Sequence, residues 1–174
     1  MGRVRRLLRK KVVIGILAAG IVLAGAGTYW FQPWKLWVSE TVREAAPAAA
    51  ANGPGGAPST LATGRLISHE HTTSGTVRIL RLPDGSRTLR LENLDTSNGP
   101  DLRVLITDAP VKEGRAGWFV FDKGAHVSLG KLKGNKGDQN YALPAGLDLD
   151  RYTSVSIWCD RFDVSFGAAA LTRA

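Results

Sequence analysis

The order of apolar and polar residues divides the chain into three parts. Residues 12–31 form an uninterrupted uncharged run, VVIGILAAGIVLAGAGTYWF. Residues 39–63 are dominated by Ala, Pro, Gly and polar residues and contain almost no large apolar side chain. From Gly64 onward, apolar residues recur at every second position in short runs that Gly, Pro, Asn and Asp separate. This pattern predicts a membrane helix, a spacer and one β-rich domain.

The apolar run matches the roughly 20 residues that a helix needs to cross a bilayer. Residues 1–11 before it carry six cations and no acid, and cytoplasmic flanks carry such an excess of Lys and Arg. We therefore predict a cytoplasmic tail at residues 1–11, a single-pass signal-anchor helix at residues 12–31 and an extracytoplasmic C-terminal domain in the cell membrane. A cleaved signal peptide is the alternative, because Ala24-Gly25-Ala26 is a small-residue pattern that a signal peptidase accepts.

Residues 32–63 are predicted to connect the helix to the domain. Trp34 and Trp37 lie just after the apolar run, where amphipathic rings favour the headgroup layer. They are followed by AAPAAAANGPGGAPS, a composition that cannot bury enough apolar surface to fold. The segment is therefore interpreted as an interfacial stretch followed by a flexible linker.

Residues 64–171 are predicted to form the folded domain. No window in it matches an amphipathic helix of ten or more residues, whereas period-2 alternation recurs every eight to twelve residues. The fold class is therefore all-β, an antiparallel β-sandwich or barrel of about seven to nine strands. The candidate strands are residues 63–68, 75–81, 88–94, 102–107, 127–132, 139–143 and 154–158, the last continuing through 162–166.

Alternation within these strands assigns the residues that point inward. They are enough for one core: Val77, Ile79, Leu89, Leu91, Leu102, Val104, Ile106, Val155, Ile157, Phe162, Val164 and Phe166.

The net charge of +8 suggests a nucleic-acid binder only while its distribution is ignored. Six of the cations lie in residues 1–11, and residues 64–174 carry fifteen Lys and Arg against thirteen Asp and Glu. A surface that binds phosphates needs its cations on the folded domain. The nearly neutral domain therefore excludes nucleic acid as the expected partner. The partner predicted for residues 12–31 is the lipid bilayer.

Few residues offer chemistry. The glycine-rich stretch at residues 130–137 lacks the Gly-Lys-Ser/Thr ending of a phosphate loop and is interpreted as a hairpin or loop. His69 and His71 are weak metal-ligand candidates, because two histidines at i and i+2 would share a face only if they lay on a strand. Cys159 is the one cysteine; it is either a buried small hydrophobe or a thiol retained for use. No catalytic constellation is recognised, so an enzyme is disfavoured.

Four motifs together resemble the DM-thirteen domain, which accompanies DOMON domains in animal Skeletor-type proteins and occurs alone in bacterial, membrane-anchored ones. They are GRLISHEHTTSGTV at residues 64–77, GPDLRV at 99–104, LGKLKGNKGDQNY at 129–141 and SIWCDRFDVSFGA at 156–168.

The resemblance implies a β-sandwich with a role in extracytoplasmic electron transfer. Its characteristic cysteine corresponds to Cys159, the histidine before Ser-Gly-Thr to His71 and the Gly-Pro-Asp aspartate to Asp101. Cys159 and His71 are therefore the redox or cofactor candidates, and Asp101 and Trp158 the supporting ones. The cofactor is unknown: Cys159, together with His71, could engage a metal, a haem or a partner thiol, and thiolate and imidazole are ligands that suit copper and haem iron.

A redox partner protein is expected because the chain holds no second redox domain. The alternative function is a non-redox adhesion or ligand-binding sandwich at the cell surface, in which Cys159 is only a buried structural residue.

Overall fold

The computed structural model describes residues 2–47 and 56–174. The chain contains two compact units, which divide after Lys35. Residues 48–55 of the predicted linker at residues 39–63 lie outside the described residues.

The first unit is a long helix, α1, at Gly2–Phe31. Its segment Lys10–Phe31 has a mean hydropathy of 2.1 and is long and apolar enough to cross a membrane, although a signal sequence would satisfy the same criteria. The helix ends where Gln32 adopts a left-handed φ of 44° and Pro33 follows it, because the residue before a proline disfavours the helical region. A short 3₁₀ helix at Pro33–Trp37 comes next.

The second unit is a β-sandwich, which confirms the predicted fold class. Eleven strands lie within the described residues: β1 Thr41–Arg43, β2 Ser59–Arg65, β3 Ile67–Ser68, β4 Ser74–Arg81, β5 Arg87–Asp95, β6 Leu102–Thr107, β7 His126–Lys131, β8 Lys136–Ala142, β9 Ser154–Cys159, β10 Val164–Ala170 and β11 Thr172–Arg173. The first sheet has the order β1-β8-β5-β4-β2-β11, and the second has the order β3-β10-β9-β6-β7. All pairs are antiparallel except β1 with β8, which is parallel.

The core lies between the two sheets and includes all of the inward positions that alternation predicts except Phe162. Val77, Ile79, Leu89, Leu91, Val104, Ile106, Val155 and Ile157 are all fully buried there. Burying such side chains supplies the main driving force for the fold, at roughly 1.5–3 kcal/mol for each large apolar residue.

The prediction of one continuous strand through residues 154–166 is wrong. Strand β9 ends at Cys159 and β10 begins at Val164, and the two pair antiparallel across a turn at residues 160–163. Asp163 turns the chain with a left-handed φ of 49°. Phe162, predicted to point inward, lies in this turn and is 38% exposed, because a turn interrupts the alternation that the prediction used.

A second apolar layer covers the outer face of the second sheet. Trp158 and Leu105 point away from the sandwich core and pack with Phe121 from the segment between β6 and β7. Phe121 is fully buried. Strands β9 and β10 therefore have both faces covered, which explains the unbroken burial of Ser154–Cys159.

Strand β1 lies in the range where composition predicts a connecting segment. Thr41, Val42 and Arg43 pair with Lys136, Gly137 and Asp138 of β8. The reason is tertiary: β8 offers an open edge that satisfies the backbone groups of a short passing segment. Composition alone carries no information about that edge.

Candidate functional site

Cys159 is the last residue of β9 and lies at one end of the sandwich core. Its backbone pairs with Leu102 of β6 on one side and with Val164 of β10 on the other. The side chain is 0% exposed and belongs to the main core cluster. The turn at residues 160–163 follows directly, so the thiol lies beneath a short turn rather than in the middle of the sheet.

Two opposing influences act on the Cys159 thiol. Burial raises its pKa, and the negative charge of Asp101 raises it further, whereas backbone hydrogen bonds from Phe162, Arg161 and Asp101 lower it. Burial is the largest of these influences and the pKa is raised overall. The thiol therefore stays protonated at neutral pH in the closed fold, and a thiol is a far weaker nucleophile than a thiolate.

Charged side chains surround the same end of the sandwich. Arg103 of β6 lies with its Nη2 3.3 Å from an oxygen of Asp101 and its Nε 3.2 Å from an oxygen of Asp160. The Nζ of Lys131 in β7 lies 3.9 Å from the other carboxylate oxygen of Asp101. The backbone N–H of Asp160 also donates to the carbonyl of Asp101 at 2.9 Å. Asp101 is therefore the predicted site residue that the fold brings to Cys159.

Trp158 is separated from Cys159 by the sheet itself. Successive side chains of a strand point to opposite faces, and Trp158 packs in the outer apolar layer while Cys159 packs in the core. Its indole is 1% exposed. As placed, Trp158 supports the sheet and does not touch the thiol.

His71 lies in the bend between β3 and β4 rather than on a strand. Its Nε2 is 2.6 Å from a carboxylate oxygen of Glu70, and its ring lies against Phe166 with centroids 3.9 Å apart. Phe166 belongs to the same core cluster as Cys159. His71 therefore contacts the core cluster through Phe166. Among the contacts of the described residues, none joins the His71 imidazole to the Cys159 thiol.

Comparison with known protein families decides the affiliation of the domain. The model of the family described as electron transfer DM13 matches residues 65–171, which is more than half of the 174-residue chain. The chain belongs to this family. His71, Asp101 and Cys159 all lie within the DM13 match. No curated protein and no solved structure matches the chain.

The DM13 fold as placed does not fit a haem or copper ion held at Cys159 by this chain alone. The sulfur has no exposed surface. Among the described residues, no group of three or more His, Cys, Asp or Glu side chains is positioned to hold a metal ion. A copper ion requires several such ligands around it, whereas a haem iron requires a ligand side chain that the haem can reach, which the fully buried Cys159 is not.

His69, one of the two weak metal-ligand candidates, is buried and hydrogen-bonded through both ring nitrogens. The residue is 8% exposed; its Nε2 lies 3.0 Å from the carbonyl of Lys112, and its Nδ1 lies 2.8 Å from the hydroxyl of Ser165. A carbonyl can only accept, so Nε2 carries the proton and Nδ1 accepts from Ser165. With both nitrogens occupied, His69 is a structural residue of the DM13 domain and is not placed to bind a metal.

A chain of buried hydroxyl groups continues from His69. The hydroxyls of Ser165 and Ser156 lie 2.9 Å apart, and both serines are fully buried. The sequence feature that corresponds to these buried hydroxyl groups is serine at positions of β9 and β10 that alternate with core residues. Alternation alone would predict that such serines face solvent, but here the segment between β6 and β7 covers them.

The glycine-rich stretch is a connection between the two sheets, in agreement with its interpretation as a loop. It leaves β7 in the second sheet and enters β8 in the first. Asn135 is 3% exposed; its Nδ2 donates to the carbonyl of Thr96 at 2.7 Å, and its Oδ1 accepts from the backbone N–H of Glu40 at 2.7 Å. The stretch therefore fixes the edge of β8 and contacts residues that precede the domain.

Proposed function

We propose that this chain is a membrane-anchored, extracytoplasmic electron-transfer module in which Cys159 exchanges electrons with a partner protein. Membership of the electron transfer DM13 family indicates a redox role in general. The observation that supports Cys159 as the reacting group is its place at the end of β9, directly beneath the turn at residues 160–163. A short turn can open without unfolding the sandwich.

The reaction that suits a single thiol is exchange with a disulfide of the partner. When the turn opens, the Cys159 thiol loses its proton, and the thiolate attacks one sulfur of the partner's disulfide. The partner's S–S bond breaks as the new S–S bond forms, and the released partner thiolate takes up the proton. Cys159 is thereby oxidised to a mixed disulfide, and one partner sulfur is reduced to a thiol.

Hydrogen bonding around the sulfur supports this assignment. The backbone groups of Arg161 and Phe162 lower the pKa of Cys159 against the effect of burial. Once the turn opens, water removes the burial penalty, which is the largest cause of the raised pKa of Cys159. Arg103 and Lys131 pair with Asp101 and so offset the negative charge that also raises this pKa. The closed fold thus protects the thiol, and opening makes it accessible.

Anchoring supports the extracytoplasmic part of the proposal. The segment Lys10–Phe31 meets the length and composition of a membrane span; four of the six cations precede it, and Lys10 and Lys11 are its first two residues. We propose that the N-terminus is cytoplasmic and the DM13 domain lies outside, by the bias of Lys and Arg toward the cytoplasm.

The test is the formation of a mixed disulfide by the native full-length chain. We expect glutathione disulfide to add once, at Cys159, and more than about tenfold faster than global unfolding, because a local opening needs less free energy than unfolding. Mass spectrometry measures the adduct, and pulse proteolysis of the same sample measures global unfolding. The chain has no second cysteine, so Cys159→Ser is a complete blank. Addition only at the rate of global unfolding would overturn the proposal.

The second candidate function is a non-redox ligand-binding or adhesion sandwich, which the complete burial of Cys159 favours. Cys159 would then only fill the core. This function predicts that Cys159→Ala lowers the free energy of unfolding by roughly 1–3 kcal/mol, as core truncations do. It also predicts no adduct before the sandwich unfolds, so the same experiment separates the two candidates.

A further inference from the structure

The segment before the DM13 domain is held along the edge of β8. Residues 38–45, here named the leading segment, include β1 and lie outside the family match, which begins at residue 65. The residues of β8 that receive it lie inside the match. In this chain, a strand from outside the family domain therefore pairs with the edge strand β8 of that domain.

The backbone of the leading segment is bonded along its whole length. The N–H of Lys136 donates to the carbonyl of Glu40 at 3.1 Å, and the N–H of Glu44 donates to the carbonyl of Asp138 at 3.0 Å. At the start of the segment, the side-chain amide of Asn98 donates to the carbonyl of Val38 at 3.2 Å. Addition of a strand to an open sheet edge is a common mode of peptide recognition.

The side chain of Glu44 is recognised individually. One carboxylate oxygen accepts from the Nζ of Lys133 at 2.7 Å, and the other accepts from the backbone N–H of Asn140 at 2.7 Å. The hydrogen bond from Lys133 is the main reason that the pKa of Glu44 is lowered. Both oxygens of the acid are therefore occupied by residues of the domain.

Arg90 of β5 is arranged to receive a peptide chain at the end of the segment. Its guanidinium is nearly buried, with the residue 4% exposed, and its Nη1 donates to the carbonyls of Glu44 and Ala45 at 3.1 and 3.2 Å. Asp138 binds the other end of the guanidinium at 2.9 Å. A buried guanidinium needs acceptors, and here the leading segment supplies two of them as backbone carbonyls.

Two glycines make room for the segment. A Cβ on Gly134 would meet the carbonyl oxygen of Glu40 at 2.5 Å and a methyl of Val42 at 2.8 Å. Gly137 has a left-handed φ of 92°, and a Cβ there would collide with the carbonyl of Val42. The close approach of the two backbones thus depends on glycine at both positions.

We propose that the edge of β8, with Arg90, Lys133, Asn140 and the two glycines, is a binding site for an extended peptide, and that the leading segment is its built-in ligand. The ligand class is a strand that presents an acidic residue two positions after a β-branched one, as Val42 and Glu44 do. The site is independent of Cys159 and of any redox role.

Hydrogen exchange of the full-length chain tests occupation of the site. In Glu44→Lys, a cation replaces the acid opposite Lys133 and Arg90, and we expect the amides of Lys136 and Asn140 to exchange more than about tenfold faster, because they lose their acceptors. Glu40→Lys is the matched control: it makes the same charge change in the same segment, but Glu40 binds β8 through its backbone. Unchanged exchange in Glu44→Lys would overturn the proposal.

A peptide added in trans tests recognition itself. A synthetic peptide of residues 37–47 is added to the Glu44→Lys chain, and the exchange of the same two amides is followed. We expect the peptide to restore their protection, whereas the same peptide carrying Lys at position 44 should not. If neither peptide restores protection, β1 is an edge strand that binds only because it is covalently attached, and the site as a peptide-binding site is excluded.

Discussion

At the scale of single residues, His69 connects the bend after β3 to the segment that covers the second sheet. Burial is the main reason that the pKa of His69 is lowered, and the hydrogen bond to the carbonyl of Lys112 opposes this. The ring stacks on Phe121, with centroids 5.6 Å apart. A Cβ on Gly117 would lie 2.8 Å from its Nε2, so the neutral ring fits with little free space.

Stability should therefore fall on acidification through His69. A lowered pKa means that the unfolded chain binds the proton first. The stabilisation is present in full above the unfolded value of 6.5 and is lost as the pH falls through the folded value. Urea denaturation between pH 7 and pH 4 measures this loss in the free energy of unfolding.

In His69→Phe the part of the pH dependence that comes from His69 should disappear. The free energy of unfolding at pH 7 should also fall by about 1–3 kcal/mol, because Ser165 and Lys112 lose a partner. His126→Gln, which changes an exposed histidine, is the control. An unchanged pH dependence in His69→Phe would assign the acid sensitivity elsewhere.

At the scale of elements, alternation predicted which faces of the strands form the sandwich core. Val155 and Ile157 alternate with Ser154, Ser156 and Trp158, and both the strand and its inward face follow from that pattern. Period-2 alternation reports how side chains divide between two faces. It could therefore locate strands and the core from the sequence alone.

The outer layer and the neighbours of the site could not be predicted in the same way. Ser156 and Ser165 are buried because a segment far away in sequence, carrying Phe121, packs over them. The order of strands brings Asp101 to Cys159, and local patterns do not encode that order. The turn at residues 160–163 was missed because Phe162 and Val164 continue an apolar alternation that a left-handed Asp163 breaks.

The pairing of β10 with the bend after β3 depends on a glycine. A Cβ on Gly167 would meet the side chain of Thr73 at 2.6 Å and the carbonyl of Ile67 at 2.8 Å. Thr73 cannot retreat easily, because its hydroxyl donates to the carbonyl of Phe166 at 2.9 Å and lies 2.7 Å from the hydroxyl of Thr96.

Gly167→Ala should consequently lower the free energy of unfolding by roughly 1–3 kcal/mol, the cost of overpacking a tight site. Gly146→Ala is the matched control, because a Cβ there meets nothing within 4 Å, and we expect a change within about 0.5 kcal/mol. Equilibrium denaturation of both variants measures the difference. Equal free energies of unfolding for Gly167→Ala and Gly146→Ala would mean that β10 and the bend after β3 can move apart without loss of stability.

At the scale of the whole molecule, the sequence separates the charge from the fold. The cations before the apolar run at residues 12–31 account for six of the net eight positive charges, and the DM13 domain is nearly neutral. The helix itself is compatible with a permanent anchor or with a signal sequence. These alternatives differ in the mass of the mature chain and in the side of the membrane on which its N-terminus lies.

An anchor requires that the mature chain keep its N-terminus. We expect the mass of the membrane-bound protein to include residues 1–26, a protease outside intact cells to remove the DM13 domain, and the same protease to spare the domain in inverted vesicles. Neutralising the six cations at residues 3–11 should send a fraction of the chains into the opposite orientation, because Lys and Arg retain their flank in the cytoplasm. The control exchanges Lys for Arg and Arg for Lys at the same six positions, which preserves the charge. A mature chain that begins after Ala26 would instead identify the helix as a signal peptide, and the domain would then reach its partner without an anchor.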